Sequence, residues 1–356
     1  MKSVFLVKSP LQILNAIEAK IYFGLHVDEC VLVVMGDRKS QPQMLKLIND
    51  NWQWAEIIIL DYVGLLSLNI FYLNNELPAN ADSSFLNKSF FNVYKLNKIS
   101  KYVGNARYIF IGYERSEYMR HFVNITKNDM TVLLDDGVVT IDIAKERSRG
   151  RCNDKKISLA KNIKLNLKRF LQGLKDSKID SVCFFTAYDI EVHIKDKIIH
   201  HNYRYLRGNS CGASRASLVY FIGAPLSEAG IMSQKVYFEY LEKVKEYFKG
   251  FNVVYVAHRR ESRENLNEIE AKLGFQVRLF DYPVEYQIIK SGDKPGVIAS
   301  FVSSVLDSCR LIFGDEIKVI SFRLSKGSYS REESVDMVYE YFANNISSSF
   351  SIESLG

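Results

Sequence analysis

An α/β fold in two domains, each built on an open parallel sheet, is what this sequence predicts, on three observations. Short apolar segments recur along the chain, and each stops in turn or polar residues before it is long enough to be a helix. Between many of them lie stretches with helical character, the alternation that yields parallel sheets covered by helices. A length of 356 residues with 47% hydrophobic content is enough for two cores of ordinary size.

The first strand expected is Ser3 to Val7. Ser9 then caps a helix with Pro10 at its first position, running on through Leu11, Gln12, Leu14 and Ile17. Such a helix start offers backbone N–H groups to whatever lies beyond the strand. Further strands are expected at Cys30 to Met35, Glu56 to Leu60 and Tyr108 to Gly112. The segment Leu66 to Ser100 is rich in Asn and aromatic residues and reads either as an acceptor-facing insertion or as a helix and loop. Thr131 to Gly137 is a buried strand that runs into two carboxylates and a glycine, so Asp135 and Asp136 emerge at a strand's carboxyl end. Consecutive side chains diverge there, leaving one acid to enter a crevice and the other to hold the backbone. A simple Asp-Gly turn accounts for the same residues.

From Lys145 to Lys178 there are twelve Lys or Arg against three acidic residues, an excess of nine that leaves the remainder of the chain mildly acidic within the net charge of +6. Ala160, Ile163, Leu167, Phe170, Leu171 and Leu174 share one helical face, which makes this a basic amphipathic helix. It reads as a core-packing helix with a solvated face, or as a surface for an anionic polymer or the inner leaflet of a membrane. No nucleic-acid motif and no alternation of charges with exposed aromatics points to DNA or RNA. A strand at Val182 to Thr186 and a mixed strand or loop at Ile190 to Ile199 follow. Tyr203 to Ser217 is a polar, glycine-containing linker, and the domain boundary is expected near Ser214, giving domains 1–214 and 215–356.

In the second domain, four apolar segments end alike: LVYFI before Gly223, Val253 to Ala257 before His258, FQVRLF before Asp281, and GVIA before Ser300. Ligands of open α/β sheets bind beyond the carboxyl ends of strands, so this half has the form of a nucleotide site. A helix is expected over Ser233 to Phe248 and another over Arg331 to Asn345. The last helix and the tail NISSSFSIESLG are expected to cross back to the first domain or to be partly disordered. Five cysteines without CxxC or metal-ligand spacing indicate neither a disulfide framework nor a structural zinc site. No secretory signal and no apolar run of roughly 18 residues is found, so a cytoplasmic protein is expected. Walker-type NTPases and Rossmann dehydrogenases are disfavoured, because GxxxxGK[ST] is absent and no GxGxxG follows a strand.

The order FIGAPLSEAG (Phe221 to Gly230), YVAHRRE, FDYPVE (Phe280 to Glu285) and SFVSSVL (Ser300 to Leu306) resembles the nucleotide-binding half of bacterial sialyltransferases and polysialyltransferases that use CMP-activated sugars. That group carries an acidic-acidic-glycine motif in its first half, and a His-Pro motif and a Ser-Ser or Ser-Thr pair in its second. KSPLQ (Lys8 to Gln12) is similar to their amino-terminal segment. Arg259 stands where the proline after the histidine is usual.

The resemblance implies a GT-B-like architecture, two doubly wound Rossmann-like domains facing one another across a cleft, and inverting transfer without a metal or other cofactor. Asp136 would be the general base for an acceptor hydroxyl, with Asp135 the second choice. His258 would be the general acid at the departing CMP phosphate, a task suited to a side chain whose ordinary pKa is about 6.5. Ser303 and Ser304, where strand turns into helix, would hold the phosphate. Glu285 would accept hydrogen bonds from the ribose, or is an ordinary helix-start carboxylate. Gly223 would let backbone approach the nucleotide closely. Ser9 and Gln12 join the first-domain site, while Arg259, Arg260 and Arg263 would neutralise donor or acceptor, or pair with Glu261 and Glu264 on the surface. The partners implied are CMP-sialic acid and a glycan acceptor such as a lipooligosaccharide or capsule precursor. Another CMP-activated acidic sugar, of the Kdo or legionaminic type, fits the same residues. A non-catalytic binder of anionic glycan or lipid is the reading from a different class.

Overall fold

The computed structural model describes residues 1–37, 39–51, 53–60, 85–149, 169–170 and 172–355. The chain forms two compact units, Met1–His201 and Asn202–Gly356. The division falls thirteen residues before the Ser214 boundary expected from sequence, because Ser214 already begins a strand of the second sheet.

In the first unit the order is β1 (Lys2–Val7), α1 (Pro10–Tyr22), β2 (Cys30–Val34), α2 (Gln41–Asp50), β3 (Glu56–Ile59), α3 (Phe85–Val103), β4 (Ala106–Ile111), α4 (Glu117–Ile125), β5 (Asn128–Leu134), α5 (Val139–Ser148), β6 (Cys183–Thr186) and β7 (Lys197–His200). These strands make one sheet in the order β3-β2-β1-β4-β5-β6-β7, with every pair parallel. In β1 and β2 nearly every residue is buried rather than every second one, as a parallel sheet covered on both faces requires. Phe5 of β1 and Phe110 of β4 stack at the centre, with ring centroids 4.1 Å apart, and Trp54 meets Phe5 edge-on. The strand expected within Ile190 to Ile199 is confined to Lys197–His200.

The second unit continues with α6 (Arg204–Gly208), β8 (Ser214–Ile222), α7 (Gln234–Tyr247), β9 (Asn252–Val256), α8 (Arg263–Leu273), β10 (Gln276–Arg278), α9 (Val284–Ser291), β11 (Lys294–Ser300), α10 (Ser304–Phe313), β12 (Lys318–Arg323), α11 (Glu332–Ala343) and β13 (Phe350–Ser354). Its sheet, β10-β9-β8-β11-β12-β13, is again parallel throughout. The tail neither crosses back nor lacks structure. It adds β13 to the edge of its own unit's sheet, in register with Phe350 opposite Val319, and Phe350 is fully buried against Phe342 of α11.

Both sheets start in the middle, wind outward to one side, then return and wind to the other. The reversal lies between β1 and β4 in the first unit and between β8 and β11 in the second. At such a switch point neighbouring connections leave in opposite directions, opening a crevice beyond the strands' carboxyl ends. Of the basic region, residues 150–168 lie outside the described part, as do residues 61–84 of the Asn- and aromatic-rich segment. Among its described cations, Arg147 is paired with Asp196 and Glu114, and Arg169 with Asp176 and Glu117. No helix among the described residues is long and apolar enough to cross a membrane.

Candidate functional site

The first switch point is assembled from the ends of β1, β4 and β5. Ser9 follows β1 in extended backbone and caps α1, its hydroxyl accepting from the Gln12 N–H at 3.3 Å. Gln12 is fully buried, and its Oε1 accepts the Lys8 N–H at 2.8 Å. It fills the space over Gly112, where an added Cβ would stand 2.0 Å from Oε1. Gln12 therefore pins the Lys8-Ser9 turn from beneath. The Lys8 ammonium sits 3.3 Å from the centre of the Tyr113 ring, a cation–π contact at the end of β4.

The two acids after β5 take opposite directions. Asp135 has no exposed surface, and its Oδ2 accepts the Ala187 N–H at 2.8 Å and lies 3.5 Å from His201 Nε2. Its carbonyl accepts from Asn15 Nδ2 of α1 at 2.9 Å. One residue thus ties β5 to the ends of β6 and β7 and to α1. Asp136 is half-buried, and its Oδ1 accepts from Ser9 Oγ at 3.4 Å. Its N–H donates to Thr140 Oγ1 at 2.9 Å, and Gly137 makes the turn into α5 at φ +66°, a backbone region that glycine occupies without strain. The Asp136 carboxylate is held beside Ser9 and before the amino end of α5, where partial positive charge favours an anion.

At the second switch point the equivalent turns follow β8 and β11, with that of β9 alongside. Ser303 caps α10 and accepts from the Val305 N–H at 3.3 Å, and Ser304 opens the helix, so both half-buried hydroxyls stand at a helix amino terminus after β11. His258 comes two residues after β9. Its Nδ1 accepts the Arg260 N–H at 3.2 Å, so the neutral imidazole carries its proton on Nε2. The His258 N–H donates to Glu261 Oε2 at 2.6 Å.

Glu261, one of the two carboxylates offered as surface partners for the arginines in one of the two readings of the sequence, is 9% exposed and sits under this turn. Its Oε1 accepts from the hydroxyl of Tyr255, which lies 2.9 Å from the hydroxyl of Tyr237, and Tyr237 Oη in turn accepts the Ala224 N–H at 3.3 Å. Burial pushes the Glu261 carboxyl up to about 7, against the lowering effect of the Tyr255 hydroxyl and the His258 N–H. The nearest signal in the sequence is a carboxylate three residues after His258, the spacing at which a side chain reaches back to a turn's first N–H.

Two expectations change in reason. Gly223 has no unusual φ. A Cβ there would fall 2.5 Å from Tyr255 Oη and 2.6 Å from Glu261 Oε2, so the glycine makes room for the Tyr255–Glu261 pair. Glu285 is 3% exposed, and Ser308 of α10 donates to its Oε1. Burial raises its pKa, and its contact joins α9 to α10, which matches the structural reading of this residue better than an open ribose contact. Arg259, which follows His258 in the same turn, is half-buried. Among the described residues no group of three or more His, Cys, Asp and Glu is placed to hold a metal ion.

No family model matches the sequence, and no curated protein matches it. Solved structures do. A UDP-N-acetylglucosamine 2-epimerase of Methanocaldococcus jannaschii, in complex with UDP-GlcNAc and UDP, matches over 99% of this chain and 89% of its own, at TM-score 0.50 and 8% identity. A putative enzyme of the same name from Listeria monocytogenes matches over 94% and 82%, at TM-score 0.50 and 11% identity. The fold is of the GT-B class. At these identities the likeness is one of fold, two parallel-sheet Rossmann-like units. MurG of Acinetobacter baumannii also aligns over the whole chain, at TM-score 0.41 and 9% identity.

Proposed function

We propose that this chain is a glycosyltransferase that moves an acidic sugar, sialic acid, from its CMP-activated form to a hydroxyl of a cell-surface glycan, with inversion and without a metal. The observation that carries the reading is the placement of the motifs. Ser9 and Asp136 stand at the switch point of one sheet, and the Gly223 turn, His258 and the Ser303–Ser304 pair stand along the carboxyl edge around the switch point of the other. Fold alone does not choose among sugar-nucleotide chemistries, so the choice rests on these side chains and on the sialyltransferase resemblance.

In the reaction, Asp136 takes the proton of the acceptor hydroxyl as the oxygen attacks the anomeric carbon. The C–O bond to CMP breaks with its electron pair on the phosphate oxygen, and the Nε2–H of His258 hydrogen-bonds to that departing oxygen without giving up its proton. The Ser303 and Ser304 hydroxyls and the first N–H groups of α10 receive the phosphate charge. Ser9 orients the Asp136 carboxylate, while Asp135 and Glu261 fix the backbone beneath the working residues. The acceptor is a lipooligosaccharide or capsule precursor, made at the cytoplasmic face of the inner membrane. The basic region of residues 145–178 provides a peripheral contact with that surface.

Competition tests the donor. Purified protein is offered CMP-sialic acid, CMP-Kdo and UDP-GlcNAc with galactose-terminated and sialylated acceptors, and products are resolved by mass. Addition of sialic acid is expected, with CMP but not UDP inhibiting. Kdo transfer alone would replace the sugar while keeping the CMP site. Turnover or epimerisation of UDP-GlcNAc would overturn the reading.

A further inference from the structure

The turn that presents His258 has Arg259 where a proline is expected after the histidine, so no ring fixes φ there. The structure supplies a different device. The Glu261 carboxylate accepts the His258 N–H with one oxygen and the Tyr255 hydroxyl with the other, and the Glu261 N–H donates to the His258 carbonyl at 2.9 Å. Residues His258 to Glu261 are closed into a ring by bonds at both ends. Through Tyr255 and Tyr237 the same carboxylate reaches the Ala224 N–H, and it packs against Gly223, so two strand-end turns share one buried anchor.

We propose that Glu261 is a positioning residue for His258, locking the turn after β9 to the turn after β8 so that the imidazole is held in one orientation toward the leaving phosphate. The proposal rests on the reading of His258 as the hydrogen-bond donor to that phosphate. The lock is set by ionisation. The anion accepts two bonds at once, whereas a protonated carboxyl surrenders one acceptor position, and with it the His258 N–H or the Tyr255 O–H. The groups facing Glu261 are Tyr255 from β9, Tyr237 from α7, Glu228 from the segment before α7, and the His258 turn itself; Glu228, bonded to the Ser262 N–H and Asn265, adds to the upward push on Glu261. With the carboxyl titrating at about 7, the lock is closed above neutrality and loosens below it.

The test reads the His258 amide resonance of the full chain by NMR as pH is varied, with Glu261→Gln and Tyr255→Phe beside wild type and His258→Ala for assignment. In wild type the amide is expected to shift with a midpoint of about 7. In Glu261→Gln the part of the shift that comes from the carboxyl disappears, leaving only what protonation of the imidazole itself contributes. In Tyr255→Phe the midpoint rises, because the carboxylate loses a donor that lowers its pKa. An amide that does not move in wild type, or that moves equally in Glu261→Gln, overturns the proposal. In turnover, Glu261→Gln is expected to lower kcat on the order of 10-fold to 100-fold with donor KM within about threefold, the pattern of a misplaced rather than a missing group. A wild type that transfers nothing would sink the proposed function while leaving the amide titration readable, so the two failures are distinguishable.

Discussion

The two switch-point edges solve the same problem with different parts. Each pairs a half-buried residue suited to chemistry with a buried carboxylate suited to holding backbone: Asp136 with Asp135 in the first unit, His258 with Glu261 in the second. In the first, the holder is the adjacent residue and reaches outward to Ala187 and His201, so it fixes the edge by joining strands. In the second, the holder lies three residues on and folds back on the N–H of the working residue itself, so it fixes a turn. Burial of an acid is thus no guide to catalysis here. At both edges the buried carboxylate is one that already accepts backbone or side-chain hydrogen bonds from the protein.

Removing the working residues gives the largest expected effect. Asp136→Ala and His258→Ala should each lower kcat by roughly 10²–10⁴ with the unfolding midpoint nearly unchanged, checked by CMP release alongside urea unfolding. Removing the first holder should invert that pattern. Asp135→Ala removes the carboxylate that accepts the Ala187 N–H and faces His201, while the carbonyl bonded to Asn15 stays, at a cost of about 1–3 kcal/mol or more, visible as a lower unfolding midpoint of the first unit.

The pH dependence of stability tests the second holder. Burial raises Glu261 from 4.5 to about 7, so between those values the folded chain keeps a proton that the unfolded chain has released. Stability therefore falls as pH rises through that window, by about 3 kcal/mol once pH has passed the folded value. Glu261→Gln should flatten this slope in the second unit, measured as unfolding midpoints across the window. Smaller again is Gly223→Ala, whose Cβ meets Tyr255 Oη and Glu261 Oε2 inside hydrogen-bond distance. It should cost about 1–3 kcal/mol and reduce turnover through the displaced Glu261 rather than through the nucleotide.

Much of this was legible from residues alone, for a physical reason. Strands of a doubly covered parallel sheet are continuous apolar runs, and Ser9-Pro10, Asp135-Asp136-Gly137, His258 and Ser303-Ser304 mark where such runs end. The divergence of Asp135 and Asp136 was legible as a geometric necessity, but which one faces inward depends on Ala187, 52 residues away. Glu261 and Glu285 read as surface or ligand carboxylates because their partners, Tyr255 with Tyr237 and Ser308, come from separate elements. The tail was missed because β13 is an edge strand rich in Ser, with only Phe350 as a deeply buried anchor.

Acceptor-dependent release of CMP from CMP-sialic acid, in EDTA, by wild type, Asp136→Ala and His258→Ala is the most direct test of the roles proposed for these two residues. Release that requires acceptor and disappears in both variants is the predicted result. Equal release by wild type and either variant would contradict that residue's role, and no release together with no CMP binding would contradict the transferase reading as a whole.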